Sequence, residues 1–119
     1  MNYDVFISCK HEDYEIAALV YEFLKSKGVS VFIASESLRR SGKTDYLDEI
    51  DKALESCKHM IVFTTRSEYA RSTFVKEEWM TFRNEKLSGR KNGNLLTIIG
   101  DGLTIADLPL GLRRYEVIP

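Results

Sequence analysis

The sequence predicts an α/β domain built on a doubly wound, five-stranded parallel sheet. Short apolar runs alternate along the chain with amphipathic stretches of helical period, and turn residues separate the two kinds of segment. The apolar runs are continuous, as in strands that are buried on both faces. Because a right-handed crossover packs each helix back onto the sheet, this alternation gives parallel strands with helices on both faces.

The first predicted strand is Tyr3–Cys9, a short run rich in Val, Ile and aromatic residues. A helix is predicted over Tyr14–Lys27, with Asp13 as its N-cap and Gly28 as its C-terminal stop. The apolar residues that recur in it at helical spacing are Ile16, Leu19, Val20 and Phe23.

The second strand is predicted at Val29–Ile33 and the third at His59–Thr65. Between them lie a polar loop, Ala34–Lys43, and a helix, Asp45–Ser56. One face of that helix carries Leu47, Ile50, Leu54 and Cys57. A loop of about ten residues is uncommon in a compact domain unless it has a function, so this loop is a candidate functional segment.

The remaining elements are a third helix, Ser72–Leu87, and a fourth strand, Leu95–Ile99, joined by the polar turn Ser88–Asn94. The stretch Gly100–Arg114 contains two further glycines and a proline, which predicts a loop with at most a short turn of helix. A fifth, weaker strand follows at Tyr115–Ile118.

The composition is that of an ordinary globular protein and limits the classes of partner. Of the 119 residues, 44% are hydrophobic and 29% charged, which suits one domain with one core. The 17 Lys and Arg are balanced by 18 Asp and Glu, so nothing indicates a surface built to neutralise nucleic-acid phosphates or to lie on an anionic membrane. No apolar stretch approaches the ~20 residues that span a bilayer. We therefore expect a cytoplasmic domain that binds neither nucleic acid nor membrane.

The two cysteines, Cys9 and Cys57, are far apart in the sequence and lack CxxC spacing. Each adjoins an apolar run, which predicts two reduced and mostly buried thiols. Neither a disulfide nor a metal site is expected.

The predicted sheet locates a ligand cleft. With the flavodoxin-like strand order 2-1-3-4-5, the order reverses between the first and third strands, and ligands of such sheets bind beyond the carboxyl ends of the strands at that point. The segments that reach this edge are Ser8–Asp13 and Thr65–Phe74.

One carboxylate interrupts the apolar face of the third helix. On a helical wheel at about 100° per residue, Glu78 lies about 40° from Phe74, inside an arc that also holds Val75, Trp79 and Phe82. A carboxylate turned towards a core must find a partner, take up a proton, or line a cleft that admits a polar ligand. A salt bridge, or a helix rotation that carries Glu78 to the rim, is the structural alternative. Because Glu78 follows the third strand, it lies beside the predicted cleft.

The ordered motifs resemble the TIR domain family, the Toll/interleukin-1 receptor-like domains of animal, plant and bacterial immune proteins. The run Tyr3–Ser8 followed by Asp13 looks like the first box of the family, and Gly28–Ile33 looks like its second strand. The segment Ser67–Ser72, with Glu78 six residues beyond it, is similar to the third-strand exit and catalytic helix of enzymatic members.

The resemblance implies that Glu78 is the catalytic residue of an NAD nucleosidase, which cleaves the bond between nicotinamide and ribose. NAD is then the substrate, and no further cofactor or metal is implied. The residues expected to bind NAD are Ser8, Lys10, His11, Ala34, Leu38 and Phe74. For His11 and Phe74 a solvated loop position and plain core packing, respectively, are open alternatives.

The loop of residues 35–43 corresponds to a family loop that joins neighbouring domains head to tail, so self-association is expected. The side chains expected to make these contacts are Glu36, Arg39, Arg40 and Lys43. A solvated basic loop is the alternative. The family normally has a further helix after the fifth strand. We therefore expect residues 1–119 to be the N-terminal TIR domain of a longer protein with a fused or associated sensor domain.

Two other functions are compatible with such a sheet. The first is a TIR adaptor, which would only scaffold other TIR domains, with Glu78 as a bystander. It differs from the expected enzyme of bacterial immune defence in that the enzyme would consume NAD. A phosphoacceptor receiver domain needs acidic residues after the first and third strands. Here those strands end in Ser8, Cys9 and Lys10 and in Thr64 and Thr65, which disfavours that class.

Overall fold

The computed structural model describes residues 2–34 and 44–119. In these residues five strands form one parallel sheet in the order β2-β1-β3-β4-β5, which confirms the predicted fold class and strand order. The strands are β1 (Val5–Cys9), β2 (Val31–Ile33), β3 (His59–Thr64), β4 (Leu95–Ile99) and β5 (Glu116–Ile118). Five residues of the predicted site and assembly loop lie outside the described ranges, namely Glu36, Leu38, Arg39, Arg40 and Lys43.

The helices of the described chain fall where the sequence places them, with two additions. They are α1 (Tyr14–Ser26), α2 (Thr44–Ser56), α3 (Ser67–Ala70), α4 (Thr73–Leu87) and α5 (Leu110–Arg113), with short 3-10 turns at His11–Asp13 and Ile105–Asp107. The single turn α3 was not predicted. The 100–114 segment holds both a 3-10 turn and α5 rather than one short turn of helix.

Strand β4 has its predicted bounds, and each of the other four strands is shorter than predicted at one end by one or two residues. The first two strands begin later than predicted because Asp4 and Ser30 bond to each other ahead of the ladder. The Asp4 amide donates to the Ser30 carbonyl at 2.8 Å, and the Ser30 amide donates to the Asp4 carboxylate at 3.2 Å. These two residues therefore clamp the start of the β1–β2 pair.

Helices cover both faces of the sheet and create two apolar layers. On one face α1 packs over alternate residues of β1, β2 and β3, including Val5, Ile7, Val31, Ile61 and Phe63. On the other face α2 and α4 pack over the intervening residues, including Phe6, Phe32, Met60, Val62 and Leu95. The layer with α4 is the one that leads to the predicted site.

Helix α1 turns a different side to the sheet than its largest apolar residues suggest. It packs through the fully buried Ala17 and the half-buried Val20, Tyr21 and Leu24. The large side chains Ile16, Leu19 and Phe23 are exposed on its outer side. A small residue at position 17 lets the helix approach the strands closely, so size alone does not identify the packing side.

No helix among the described residues has the length and apolar character needed to cross a membrane. Cys9 and Cys57 are both buried, and neither takes part in a disulfide, as predicted.

The Cys57 thiol is buried directly after α2 and donates to the Leu54 carbonyl at 3.4 Å. Burial raises the pKa of this thiol from 9.0 to about 11, against an opposing effect of the Lys91 ammonium. Between pH 9 and about pH 11 the unfolded chain therefore releases a proton that the folded chain keeps. The stabilisation of the folded state by the buried Cys57 thiol is fully present below pH 9 and is lost as the pH rises through about 11.

We expect Cys57→Ala to remove this dependence. Over that alkaline range the free energy of unfolding should fall by about 2 kcal/mol more in the native chain than in the variant. Urea denaturation of both proteins, followed by circular dichroism, measures the difference. A cavity makes the variant less stable by about 1 kcal/mol near neutral pH, and this offset should shrink or reverse as the pH rises. If the difference in the free energy of unfolding between the two proteins stays constant into the alkaline range, the Cys57 thiol is not the source of the pH dependence.

Candidate active site

Glu78 is buried in the second turn of α4, with only 3% of its surface exposed. The buried residues of the helix are Val75, Glu78, Trp79 and Phe82, while the adjacent Glu77 is exposed. The predicted position of Glu78 inside the apolar arc is therefore confirmed, and the alternative of a rotation to the exposed rim is wrong.

The Ser8 hydroxyl donates to Oε1 of Glu78 at 2.6 Å. Ser8 is fully buried in β1, two residues after Phe6, and strand alternation turns both side chains towards α4. An oxygen–oxygen distance this short is typical of a hydroxyl that donates to a carboxylate. The strand thus supplies a fixed donor that holds the Glu78 carboxyl group at the carboxyl end of β1.

A second buried carboxylate joins the ends of β1 and β3. Asp13 accepts the Thr65 amide at Oδ2 over 3.0 Å and the Thr65 hydroxyl at Oδ1 over 2.6 Å. Asp13 is the N-cap residue of α1, as predicted, but its side chain makes no cap bond. The carboxylate instead satisfies a backbone group just beyond β3.

Lys10 and His11 lie where β1 leaves the sheet, as the strand order predicts. Lys10 is half-buried, and its carbonyl accepts the Asp13 amide at 2.8 Å, which closes the 3-10 turn ahead of α1. His11 is exposed at the first position of that turn. Both residues therefore directly follow the strand that carries Ser8, and their contact with NAD stays a prediction.

Phe74 and Ala34 are the two apolar residues of the described chain that are predicted to contact NAD. Phe74 is half-buried one helical turn before Glu78, so its ring shares that side of α4. Ala34 is buried after β2, and its amide donates to the Ile7 carbonyl at 3.0 Å. Because that amide is already bonded, Ala34 has only its methyl group and its carbonyl left to offer a ligand.

Trp79 is core, as predicted, and it also fixes the entry of α4. Its indole Nε1 donates to the Ala70 carbonyl at 2.9 Å, which ties α4 to the end of α3. On its outer edge the ring lies against Gly111 of α5, where an added Cβ would come within 2.8 Å of the ring. The turn of α4 that carries Glu78 is thus held from two sides.

The structure brings together the two segments that are predicted to reach the ligand cleft, Ser8–Asp13 and Thr65–Phe74. Ser8 bonds to Glu78, and Asp13 bonds to Thr65 across 52 positions of sequence. The role of Asp13 was missed because its spacing from α1 also fits an N-cap. Among the described residues, no group of three or more His, Cys, Asp or Glu side chains is placed to hold a metal ion.

The sequence matches a known family, and solved structures share the fold of this chain. The family model described as TIR domain matches residues 5–118. A metazoan TIR-STING receptor from C. gigas has a TM-score of 0.70 at 21% identity, over 98% of this chain and 37% of that one. The TIR domains of the activated Roq1 resistosome, which directly recognises the pathogen effector XopQ, have a TM-score of 0.69 at 22% identity. This match covers 88% of this chain and 61% of that one. No curated protein sequence matches the chain. At these identities the likeness to the solved structures shows the fold, and this chain spans less than two-thirds of either neighbour.

Proposed function

Because this chain belongs to the TIR domain family, we propose that it cleaves NAD between nicotinamide and ribose, with Glu78 as the catalytic residue. The observation that carries the proposal is a buried carboxylate, held by Ser8, at the carboxyl ends of β1 and β3. Ligands of doubly wound sheets bind at this edge. A carboxylate kept there against the cost of burial fits a functional role.

The chemistry suits a single carboxylate. Nicotinamide in NAD is a pyridinium, so when its bond to C1′ of the ribose breaks, the electron pair goes to the ring nitrogen and a neutral base leaves. No general acid is needed, unlike the pair of carboxyl groups required for an O-glycoside. Positive charge develops on the ribose, and the Glu78 carboxylate stabilises it while holding the ribose hydroxyls.

Water then adds its oxygen to C1′ and loses a proton to solvent, giving ADP-ribose. Attack by the adenine of the same molecule gives a cyclic product instead. The half-buried Phe74 offers an apolar wall one turn from the carboxylate. The ammonium of Lys10, at the exit of β1, suits the pyrophosphate.

The described state is closed around the carboxylate. With 3% of its surface exposed and one oxygen bonded to Ser8, Glu78 has almost no surface for a ribose to contact. Activity therefore requires the edge to open, and we propose that self-association supplies the free energy for opening. An isolated domain is then weakly active, and its activity per molecule rises with protein concentration.

The test is an NAD consumption assay. The chain at low concentration, at high concentration and clustered on a bead or vesicle is incubated with NAD, and nicotinamide, ADP-ribose and cyclic product are separated by chromatography. We expect nicotinamide release per molecule to rise at least about tenfold on clustering. An absence of nicotinamide release under every condition would refute the proposal. A rate per molecule that does not depend on concentration would refute the activation step alone.

A scaffolding adaptor is the second candidate, because a carboxylate satisfied by Ser8 and nearly unexposed can also be purely structural. Such a domain associates with other TIR domains and leaves NAD intact, so the same assay separates the two functions.

The proposed enzyme acts in immune defence, a setting in keeping with the resistosome neighbour, which recognises a pathogen effector.

A further inference from the structure

Strand β2 is an edge of the sheet that carries no protecting charge. Within the described residues it pairs with β1 alone. The stretch Val29–Ala34 contains no charged residue, proline or glycine, whereas the opposite edge strand, β5, carries the exposed Glu116. Proteins commonly protect an edge strand with charge or proline, because its unpaired backbone groups can pair with another chain. The β2 edge has neither, so its backbone is open to an added strand.

The backbone groups along β2 alternate between β1 and the open edge. The Ser30 carbonyl accepts an amide of β1 at 3.1 Å, and the Ala34 amide donates to a carbonyl of β1 at 3.0 Å. In a parallel pair every second residue bonds to the same neighbouring strand, and the residues between them turn their backbone groups to the other side. Val31 and Ile33 therefore direct their amides and carbonyls outwards, where an added strand would meet them.

A groove of about 430 Å³ follows this edge. It is lined by the stretch Val29–Ile33 and by Tyr3 and Tyr21, which pack into the apolar layers on opposite faces of the sheet. Tyr3 is supported by an edge-to-face contact with Phe32, at 5.3 Å between ring centroids. The two tyrosines thus flank the outward backbone groups from both sides. The groove offers hydrogen-bond partners along its length and aromatic walls for the side chains of one extended chain.

Lys25 places a positive charge at one end of the groove. It lies in the last turn of α1, and the Val29 amide donates to the Leu24 carbonyl at 3.1 Å, so this end of α1 lies at the start of β2. The Lys25 ammonium is 5.2 Å from the centroid of the Tyr21 ring, and both side chains line the groove. A carboxylate of a bound chain can pair with Lys25 at this end.

We propose that the β2 edge binds an extended peptide segment of a partner protein, which adds to the sheet as a further strand. Main-chain hydrogen bonds supply the affinity of such an addition, and side chains in the groove supply the specificity. The segment runs antiparallel to β2, because the antiparallel ladder is the more stable one. Its carboxyl-terminal end then reaches Lys25, so the segment that fits has residues of high β propensity followed by an acidic residue. The binding stands whether or not Glu78 acts on NAD.

Fluorescence anisotropy of a labelled peptide tests the strand addition on the native 119-residue chain. The probe is a hexapeptide, Thr-Val-Thr-Val-Thr-Asp, with fluorescein at its amino end and a free carboxyl end. Two matched probes carry N-methyl groups on their second and fourth residues or on their third and fifth residues. An added strand points only alternate amides at β2, so one pair of methyl groups removes hydrogen bonds and the other pair faces away.

We expect saturable binding of the unmodified probe, a loss of at least about tenfold for one methylated probe and a loss below about twofold for the other. Equal losses for the two methylated probes, or no binding of the unmodified probe at the highest protein concentration, would overturn the proposal. Sedimentation velocity without probe tests a second copy as the occupant. A dimer of the chain that the probe dissociates would also overturn the proposal.

Charge exchange tests the direction of the bound segment. Lys25→Glu should weaken binding of the probe by about fivefold, because it sets like charges against each other. A probe with an amidated end and Lys in place of Asp should bind this variant as well as the original probe binds the native chain. Lys27→Glu is the matched control, since Lys27 is exposed two residues further on and does not line the groove. Equal effects of the two variants would refute the antiparallel direction.

Discussion

Glu78→Gln is expected to lower nicotinamide release from NAD by about 100-fold to 1000-fold, the loss typical when one electrostatic contact to a transition state is removed. Glutamine has nearly the same shape as glutamate and keeps an oxygen that accepts the Ser8 hydroxyl, so the fold should persist. What the variant lacks is the negative charge that stabilises the developing ribose cation. Chromatographic measurement of nicotinamide from clustered protein gives the rate.

The matched control is Glu77→Gln, which removes the same charge from the adjacent, exposed position of α4. This control should retain the native rate. Ser8→Ala should produce an intermediate loss of about tenfold, because the carboxylate keeps its charge but loses the donor that positions it. Native activity in Glu78→Gln would refute the assignment of Glu78, and equal losses in the two glutamine variants would show a general effect of charge.

Asp13→Ala is expected to lower the free energy of unfolding by about 3 kcal/mol. Asp13 is buried and accepts two hydrogen bonds from Thr65, and hydrogen bonds to charged groups contribute about 1.5 to 3 kcal/mol each. Its removal also leaves the Thr65 amide without its acceptor. Thr65→Val removes only the hydroxyl bond and should cost about 1 kcal/mol. Urea denaturation followed by circular dichroism measures all three proteins.

The double variant should cost less than the sum of the single ones, because both single changes break the same hydroxyl–carboxylate bond. Glu12→Ala removes an exposed carboxylate one residue away and should change stability by less than about 0.5 kcal/mol. A loss below about 1 kcal/mol in Asp13→Ala would show that the link between β1 and β3 contributes little to the fold.

The sequence predicts the strands because buried parallel strands leave continuous apolar runs, and every predicted strand is present within two residues of its place. It does not predict α3, since a single turn of four residues is too short to show a period. Because helical geometry depends only on nearby residues, the helical wheel correctly predicts that Glu78 lies on the buried side of α4. Its partner Ser8 is 70 positions away, and that pairing depends on the sheet.

The same distinction explains what the sequence does not predict at Asp13 and on α1. An aspartate before a helix fits a local cap, yet Thr65, 52 positions away, provides two donors together. The outer side of α1 was also invisible in the sequence, because Ile16, Leu19 and Phe23 have the spacing of a core-facing stripe. Which side packs depends on the fit of Ala17 against the strands.

Trp79 gives the domain a built-in optical reporter beside its candidate catalytic residue. The chain has one tryptophan, so its emission comes from a single place, next to Glu78 in α4. The indole is held between Ala70 and Gly111, and a displacement of this turn would expose the ring to water and move its emission to longer wavelength. Opening of the closed site can therefore be followed by fluorescence in unlabelled protein, in the same sample in which NAD is consumed.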